Sequence, residues 1–184
     1  PRPFNLEFAP MNAPQQDKFI VREVKTEEVE PIISLVRKTL DPFEEAGSVL
    51  AATYRRLTDF NRIYNGQEAT YFVVEEKGSG KLVGGAGFGP FVGLSPSDKI
   101  GEIRELVIEK EFRGQGAGKA LLHRCLQYAK EQGYSRIYLE TTPKMEHAQN
   151  LFKRFKFKPV THSLASRAED SSAVPCYFML EDLN

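Results

Sequence analysis

Two carboxylates and a run of glycines carry the chemistry this sequence offers. Glu102 and Glu105 lie in Gly101-Glu102-Ile103-Arg104-Glu105-Leu106-Val107-Ile108, whose apolar and β-branched residues read as a strand. A carboxylate there can act as a proton acceptor or be an ordinary solvated charge, and the residue type fits both. Three residues apart, the two side chains point to opposite faces of a regular strand, and a β-bulge would alter that parity. Further on comes Arg113-Gly114-Gln115-Gly116-Ala117-Gly118-Lys119, where a strand gives way to a helix. Glycines let the backbone approach a ligand closely, and a helix's first turn presents unpaired N–H groups with partial positive charge. With Arg113 and Lys119 adding charge, the segment suits an anion, most simply a phosphate or pyrophosphate.

Spacing excludes two phosphate motifs. A P-loop needs Gly, four residues, then Gly-Lys-Ser/Thr. Gly118-Lys119 is present, but the first position is Arg113 and the last is Ala120, which leaves no hydroxyl for Mg²⁺. A dinucleotide fingerprint, Gly-x-Gly-x-x-Gly, fails from Gly114 because position 119 is Lys. It fails from Gly116 because position 121 is Leu. The pattern that fits is Arg/Gln-x-x-Gly-x-Gly/Ala, here Arg113 to Gly118.

This turn resembles the acyl-CoA signature of the GCN5-related N-acetyltransferase (GNAT) superfamily. Glu102–Ile108 is similar to that family's fourth strand and Arg136–Thr141 to its fifth. Ala148–Phe152 with Phe155–Lys158 is similar to its last helix and sixth strand. The resemblance runs from about residue 19 to the end. It implies acetyl-CoA as co-substrate, no metal, and direct acyl transfer to an amine of a small molecule or peptide. It places the cofactor on Leu106, Val107 and Ile108 and on Arg113, Gly114, Gln115, Gly116, Ala117, Gly118 and Lys119. An amine near pKa ~10.4 is mostly protonated at neutral pH, so a base must take its proton. Glu102 and Glu105 are the candidates for that base, Glu102 slightly favoured by its position relative to Arg113. The resemblance assigns the oxyanion donor to backbone N–H of the fourth strand. Three positions depart from the family: Phe152 stands where many members have Tyr and cannot donate a proton, Met145 replaces an Asn, and Lys156 replaces a Gly. A non-catalytic acyl-CoA-binding module is the alternative that Phe152 suggests.

The elements that must position these residues follow from periodicity. Strands are expected at 19–24, 69–75, 81–92, 99–108, 136–140, 157–161 and 176–180. Helices are expected after Thr26, over 49–64, over 116–132 and from about Thr142-Pro143. Leu121, Leu122, Cys125, Leu126 and Ala129 would form one apolar face, and Met145, Ala148, Leu151, Phe152 and Phe155 another. The fold class is α+β: a mixed central sheet of about seven strands flanked by about four helices. Residues 1–17, with four prolines, read as an N-terminal arm, and 18–184 as one domain.

Composition removes other functions. Lys+Arg is 25 and Asp+Glu is 25, a net charge of zero that argues against a broad nucleic-acid footprint. The longest charge-free run, Leu82–Ser97, holds five glycines and two prolines, so it is neither a spanning helix nor a signal core. Cys125 and Cys176 in apolar contexts read as buried thiols of a reducing compartment, and the chain is expected to be cytoplasmic. A homodimer stays open. The acidic loop beginning at Asp41-Pro42-Phe43 and the segment 162–175 are where the resemblance places the acceptor site.

Overall fold

Side-chain alternation along Thr70–Glu76 sends Phe72 and Val74 into the core on one side of a sheet and Tyr71 and Val73 into the core on the other. That division organises the protein. The computed structural model describes residues 18–43, 49–91, 96–141, 145–160, 176–181 and 183. The proposed arm, the acidic positions 44–45 and the segment 162–175 lie outside them. The strands are β1 (Phe19–Glu23), β2 (Thr70–Glu76), β3 (Leu82–Pro90), β4 (Ile100–Ile108), β5 (Arg136–Thr141), β6 (Lys158–Val160) and β7 (Cys176–Leu180). The helices are α1 (Val29–Leu40), α2 (Val49–Thr58), α3 (Phe60–Ile63, a single turn), α4 (Ala117–Glu131) and α5 (Glu146–Arg154). The expected helix over 49–64 is thus two, broken at Asp59. Thr26 opens a 3₁₀ turn rather than an α-helix. Among the described residues, no helix is long and apolar enough to cross a membrane.

The seven strands form one mixed sheet in the order β1-β2-β3-β4-β5-β7-β6. All neighbours are antiparallel except β4 and β5. That parallel pair is short: Ile100, Gly101 and Glu102 face Arg136, Ile137 and Tyr138, and the register ends there. Beyond it β4 runs on to Ile108 and β5 to Thr141 without pairing to each other, so the sheet splits open between them.

Helices α4 and α5 cover one face, where Leu121, Leu122, Cys125 and Leu126 pack with Phe72, Phe88, Ile103 and Ile108. On the other, Ile32, Val36 and Leu40 of α1 and Leu57 of α2 pack on Tyr71, Val73 and Val107. Each such side chain, fully buried, contributes about 1.5–3 kcal/mol. The apolar face expected for α4 is the one observed. Burial pushes the Cys125 thiol up to about 12, as suits an inert core cysteine.

Two helix ends differ in their chemistry. Helix α4 closes on Gly133 at φ 83°, with Gly133 N–H bonding Lys130 O and Tyr134 N–H bonding Ala129 O. Helix α5 closes the same way, but with Lys156 at φ 67°. Lys156 N–H bonds Lys153 O, Phe157 N–H bonds Phe152 O, and the rings of Phe152 and Phe157 meet at 5.9 Å. These are the bonds and the apolar contact of a Schellman ending. A side chain in the left-handed region costs about 1–2 kcal/mol, which glycine at 133 avoids.

Candidate active site

A cavity of about 300 Å³ lies among the end of β4, the end of α1, α5 and the glycine turn. Its walls are Leu106, Val107 and Ile108 of β4, Thr39 and Leu40 of α1, Phe43, and Ala148, Asn150 and Leu151 of α5. Its rim is the glycine turn, with Arg113, Gly114, Gly116, Gly118 and Lys119. Gly114 at φ 74° and Gly116 at φ 94° hold left-handed conformations, so the turn needs glycine before α4 starts at Ala117. At Gly118 α4 comes close to α5: a Cβ there would stand 3.0 Å from Leu151 Cδ2, so a larger residue makes that leucine shift.

Eight of the ten residues expected to bind the cofactor line this cavity. The side chains of the other two point elsewhere. Gln115 donates to Glu111 O at 2.9 Å and accepts from Lys18 Nζ, which ties the turn to the start of β1. Ala117 is buried in the core at 1% exposure. Arg113 donates from Nε to Ile108 O at 3.1 Å, joining the turn to the end of β4. The cavity also has two residues of α5 that spacing alone did not single out, Arg154 and His147. Partial desolvation, and then the Arg113 charge, lower the His147 pKa. The side chains of Arg113, Lys119 and Arg154 put positive charge on the rim.

A second, smaller cavity adjoins the first, sharing Leu40, Leu106, Met145 and Ala148 with it. Both glutamates line it, as do Arg56 of α2, Arg104 of β4 and Glu140 of β5. Regular alternation would have put Glu102 and Glu105 on opposite faces. The register between β3 and β4 slips instead: Gly85 faces Val107 while Gly87 faces Arg104, so β4 carries one extra residue. Glu105 sits in this bulge at φ 47°. The parity change is visible in packing, since Ile103 and Ile108, five residues apart, join the same core.

The charges here are paired. Arg104 donates from Nε to Glu102 Oε1 at 2.8 Å and from Nη2 to Pro90 O at 2.7 Å. Glu105 has a fully buried side chain that accepts from Thr53 Oγ1 at 3.1 Å, from Arg56 Nε at 2.8 Å and from Tyr64 Oη. Burial disfavours charge on Arg56, but the Glu105 carboxylate outweighs it and raises the guanidinium pKa. Burial, then the Glu105 charge, push the Tyr64 hydroxyl well above its ordinary pKa, so it remains a donor. Tyr138 is fully buried and donates to Glu140 Oε1 at 2.9 Å, as a packed strand residue with a satisfied hydroxyl. Phe152 is 3% exposed; it packs on Phe157 and Phe178 and also touches the wall of the second cavity. Asp41 accepts a hydrogen bond from Tyr54 at 2.6 Å.

Comparison with known proteins gives a consistent picture. The sequence pattern of the acetyltransferase (GNAT) family matches residues 34–157. The N-acetyltransferase YjgM of Escherichia coli (strain K12) is 33% identical over 108 residues, 59% of this chain and 62% of that protein. N-acetyltransferase 8B of Homo sapiens is 32% identical over 107 residues, 58% of this chain and 47% of that protein. The chain thus spans about half to three fifths of the length of these relatives. Among solved structures, an acetyltransferase of the GNAT family from Staphylococcus aureus Mu50 superposes with TM-score 0.72 at 16% identity, covering 90% of this chain and 99% of that one. The yncA protein of Salmonella typhimurium, solved with its cofactor acetyl-CoA, superposes with TM-score 0.67 at 16% identity, covering 89% and 93%. These likenesses establish the seven-stranded α+β fold.

Proposed function

Because this chain belongs to the acetyltransferase (GNAT) family, we propose that it moves an acetyl group from acetyl-CoA to a primary amine of a small molecule or peptide, by direct attack in a ternary complex. The observation that carries this reading is the junction of the two cavities. The one rimmed by glycines and cations shares four lining residues with the one that holds Glu102.

The first cavity fits the cofactor's anionic part. Backbone N–H groups from Gly114 to Lys119 would hold the pyrophosphate, Gln115 and Ala117 through their main chain, with Arg113 and Lys119 adding charge. Leu106, Val107 and Ile108 would line the rest, along a β4 edge that lacks a β5 partner. Acetyl-CoA supplies the activated acyl thioester. Glu102 takes a proton from the acceptor's ammonium, directly or through water. The free amine then attacks the thioester carbonyl, forming the C–N bond as the C–S bond breaks and the thiolate leaves. Arg104, at 2.8 Å, orients that carboxylate. The buried Phe152 offers no proton, so solvent serves as the acid.

The test is thiol release from acetyl-CoA over a panel of primary amines. Amine-dependent release supports the reading. A rise in melting temperature with acetyl-CoA, but no release with any amine, would favour the non-catalytic acyl-CoA-binding module.

A further inference from the structure

The glycine-rich strand β3 and the buried Glu105 have no part in the reading above, and they explain each other. Gly85 and Gly87 have no positive φ, so they are not there for a turn. They are there for space. A Cβ on Gly87 would lie 2.4 Å from Tyr64 Oη, and one on Gly85 would lie 2.5 Å from Tyr71 Cε1. The two tyrosine rings therefore lie against bare backbone. Both then reach the same residue: Tyr64 donates to the Glu105 carboxylate, and Tyr71 donates to the Glu105 carbonyl at 3.0 Å.

The carboxylate is fully buried and held on both oxygens: Thr53 Oγ1 and two nitrogens of Arg56 donate to Oε1, and Tyr64 Oη donates to Oε2. Glu102 lies on the same cavity, in the part of β4 that is still paired with β5. Glu105 is instead where α2, the residue after α3 and β2 converge on the one left-handed position of β4. The next three residues, Leu106, Val107 and Ile108, are those that line the larger cavity.

We infer that Glu105 is a positioning residue: with Arg56, Thr53, Tyr64 and Tyr71 it pins the β4 bulge, and so sets where Leu106–Ile108 meet the cofactor relative to Glu102. This rests on the acetyl-transfer reading. It assigns Arg56, Tyr64 and Tyr71 a task in the reaction although none of them touches a reacting atom. It also accounts for Gly85 and Gly87 as the clearance those tyrosines require.

The experiment compares the parent chain with Tyr71→Phe and Glu105→Gln, using acetyl-CoA and the best amine of the panel from pH 7 to pH 9.5. Rates are normalised to acetyl-CoA-binding sites so that loss of folded protein does not count. Tyr71→Phe leaves every carboxylate in place and removes only the bond to the Glu105 carbonyl. It should lower kcat roughly fivefold by the same factor at every pH, and raise the KM for acetyl-CoA. Glu105→Gln should do the same to a larger extent. A proton acceptor would behave differently: its loss shrinks at high pH, where the amine deprotonates unaided. Recovery of Glu105→Gln at high pH, or parent-like kinetics in Tyr71→Phe, overturns the inference while leaving the acetyl-transfer reading intact. Should Glu105→Gln fail to fold, Tyr71→Phe decides alone. No thiol release by the parent with any amine overturns the acetyl-transfer reading, and this inference with it.

Discussion

The two adjoining cavities are made of different materials. The larger is shaped by backbone: left-handed glycines at 114 and 116, a helix start at Ala117, and a strand edge with no partner on the β5 side. The smaller is shaped by side chains, with Arg56 against Glu105 and Arg104 against Glu102. A backbone site is written in a few consecutive residues and tolerates little change among them. A side-chain site is assembled from α2, β4, β5 and α5, and tolerates change according to how many bonds each member makes. The difference predicts how each half fails.

The sharpest way to separate them is Gly118→Glu. It brings bulk against Leu151 and negative charge to the anion site. Like charges brought together cost several kcal/mol, so acetyl-CoA affinity should fall on the order of 100-fold. Calorimetric titration checks this, and parent-like affinity would break the assignment of the larger cavity. Next is Glu102→Gln, which should leave acetyl-CoA binding alone and lower kcat on the order of 10² at neutral pH. The deficit should narrow as pH rises toward the amine pKa of ~10.4. An equal deficit at all pH values would remove Glu102 from proton transfer.

Phe152→Tyr probes the boundary between cavity and core. Phe152 packs on Phe157 and Phe178 at 5.9 Å each, so the added hydroxyl should be left without a partner at a cost of about 1–3 kcal/mol. The expected outcome is a melting temperature lower by roughly 2–12 °C with unchanged turnover. Faster turnover at unchanged stability would show instead that the hydroxyl reaches the smaller cavity. The smallest effect is Lys156→Gly, which copies at the end of α5 what Gly133 does for α4. Relief of the left-handed lysine, less the extra freedom of glycine in the unfolded chain, should stabilise by about 0.5–1 kcal/mol. That is roughly 1–4 °C in thermal melting, with no change in kinetics.

This contrast also explains what was legible in the sequence. The glycine turn is contiguous, and its spacing could be tested residue by residue against rival motifs. Helix α4 was legible for the same reason, because its face repeats within one segment. The parity of Glu102 and Glu105 stayed open, since a bulge in that strand would reverse it. It depends on a one-residue slip between β3 and β4, and nothing local to β4 marks Glu105 as left-handed. The signal that existed lay elsewhere, in the alternate glycines of β3 and in Tyr64 and Tyr71. Only tertiary packing connects those to the bulge. Arg154 and His147 escaped notice because a charged helix residue reads as solvated until its helix is docked beside another element. The break at Asp59 was missed because the apolar pattern continues across it into Phe60.

The placement of charge in the two cavities bears on ionic strength. Lys119 and Arg154 are exposed at the rim of the larger cavity, within reach of dissolved ions. The Arg104–Glu102 pair has about 6% of either side chain exposed. Mobile ions screen exposed charges over about 8 Å at physiological concentration and reach buried pairs far less. Added salt should therefore weaken capture of the polyanionic cofactor while the chemistry that follows proceeds at an unchanged rate, so that salt acts on this protein as a brake on loading alone.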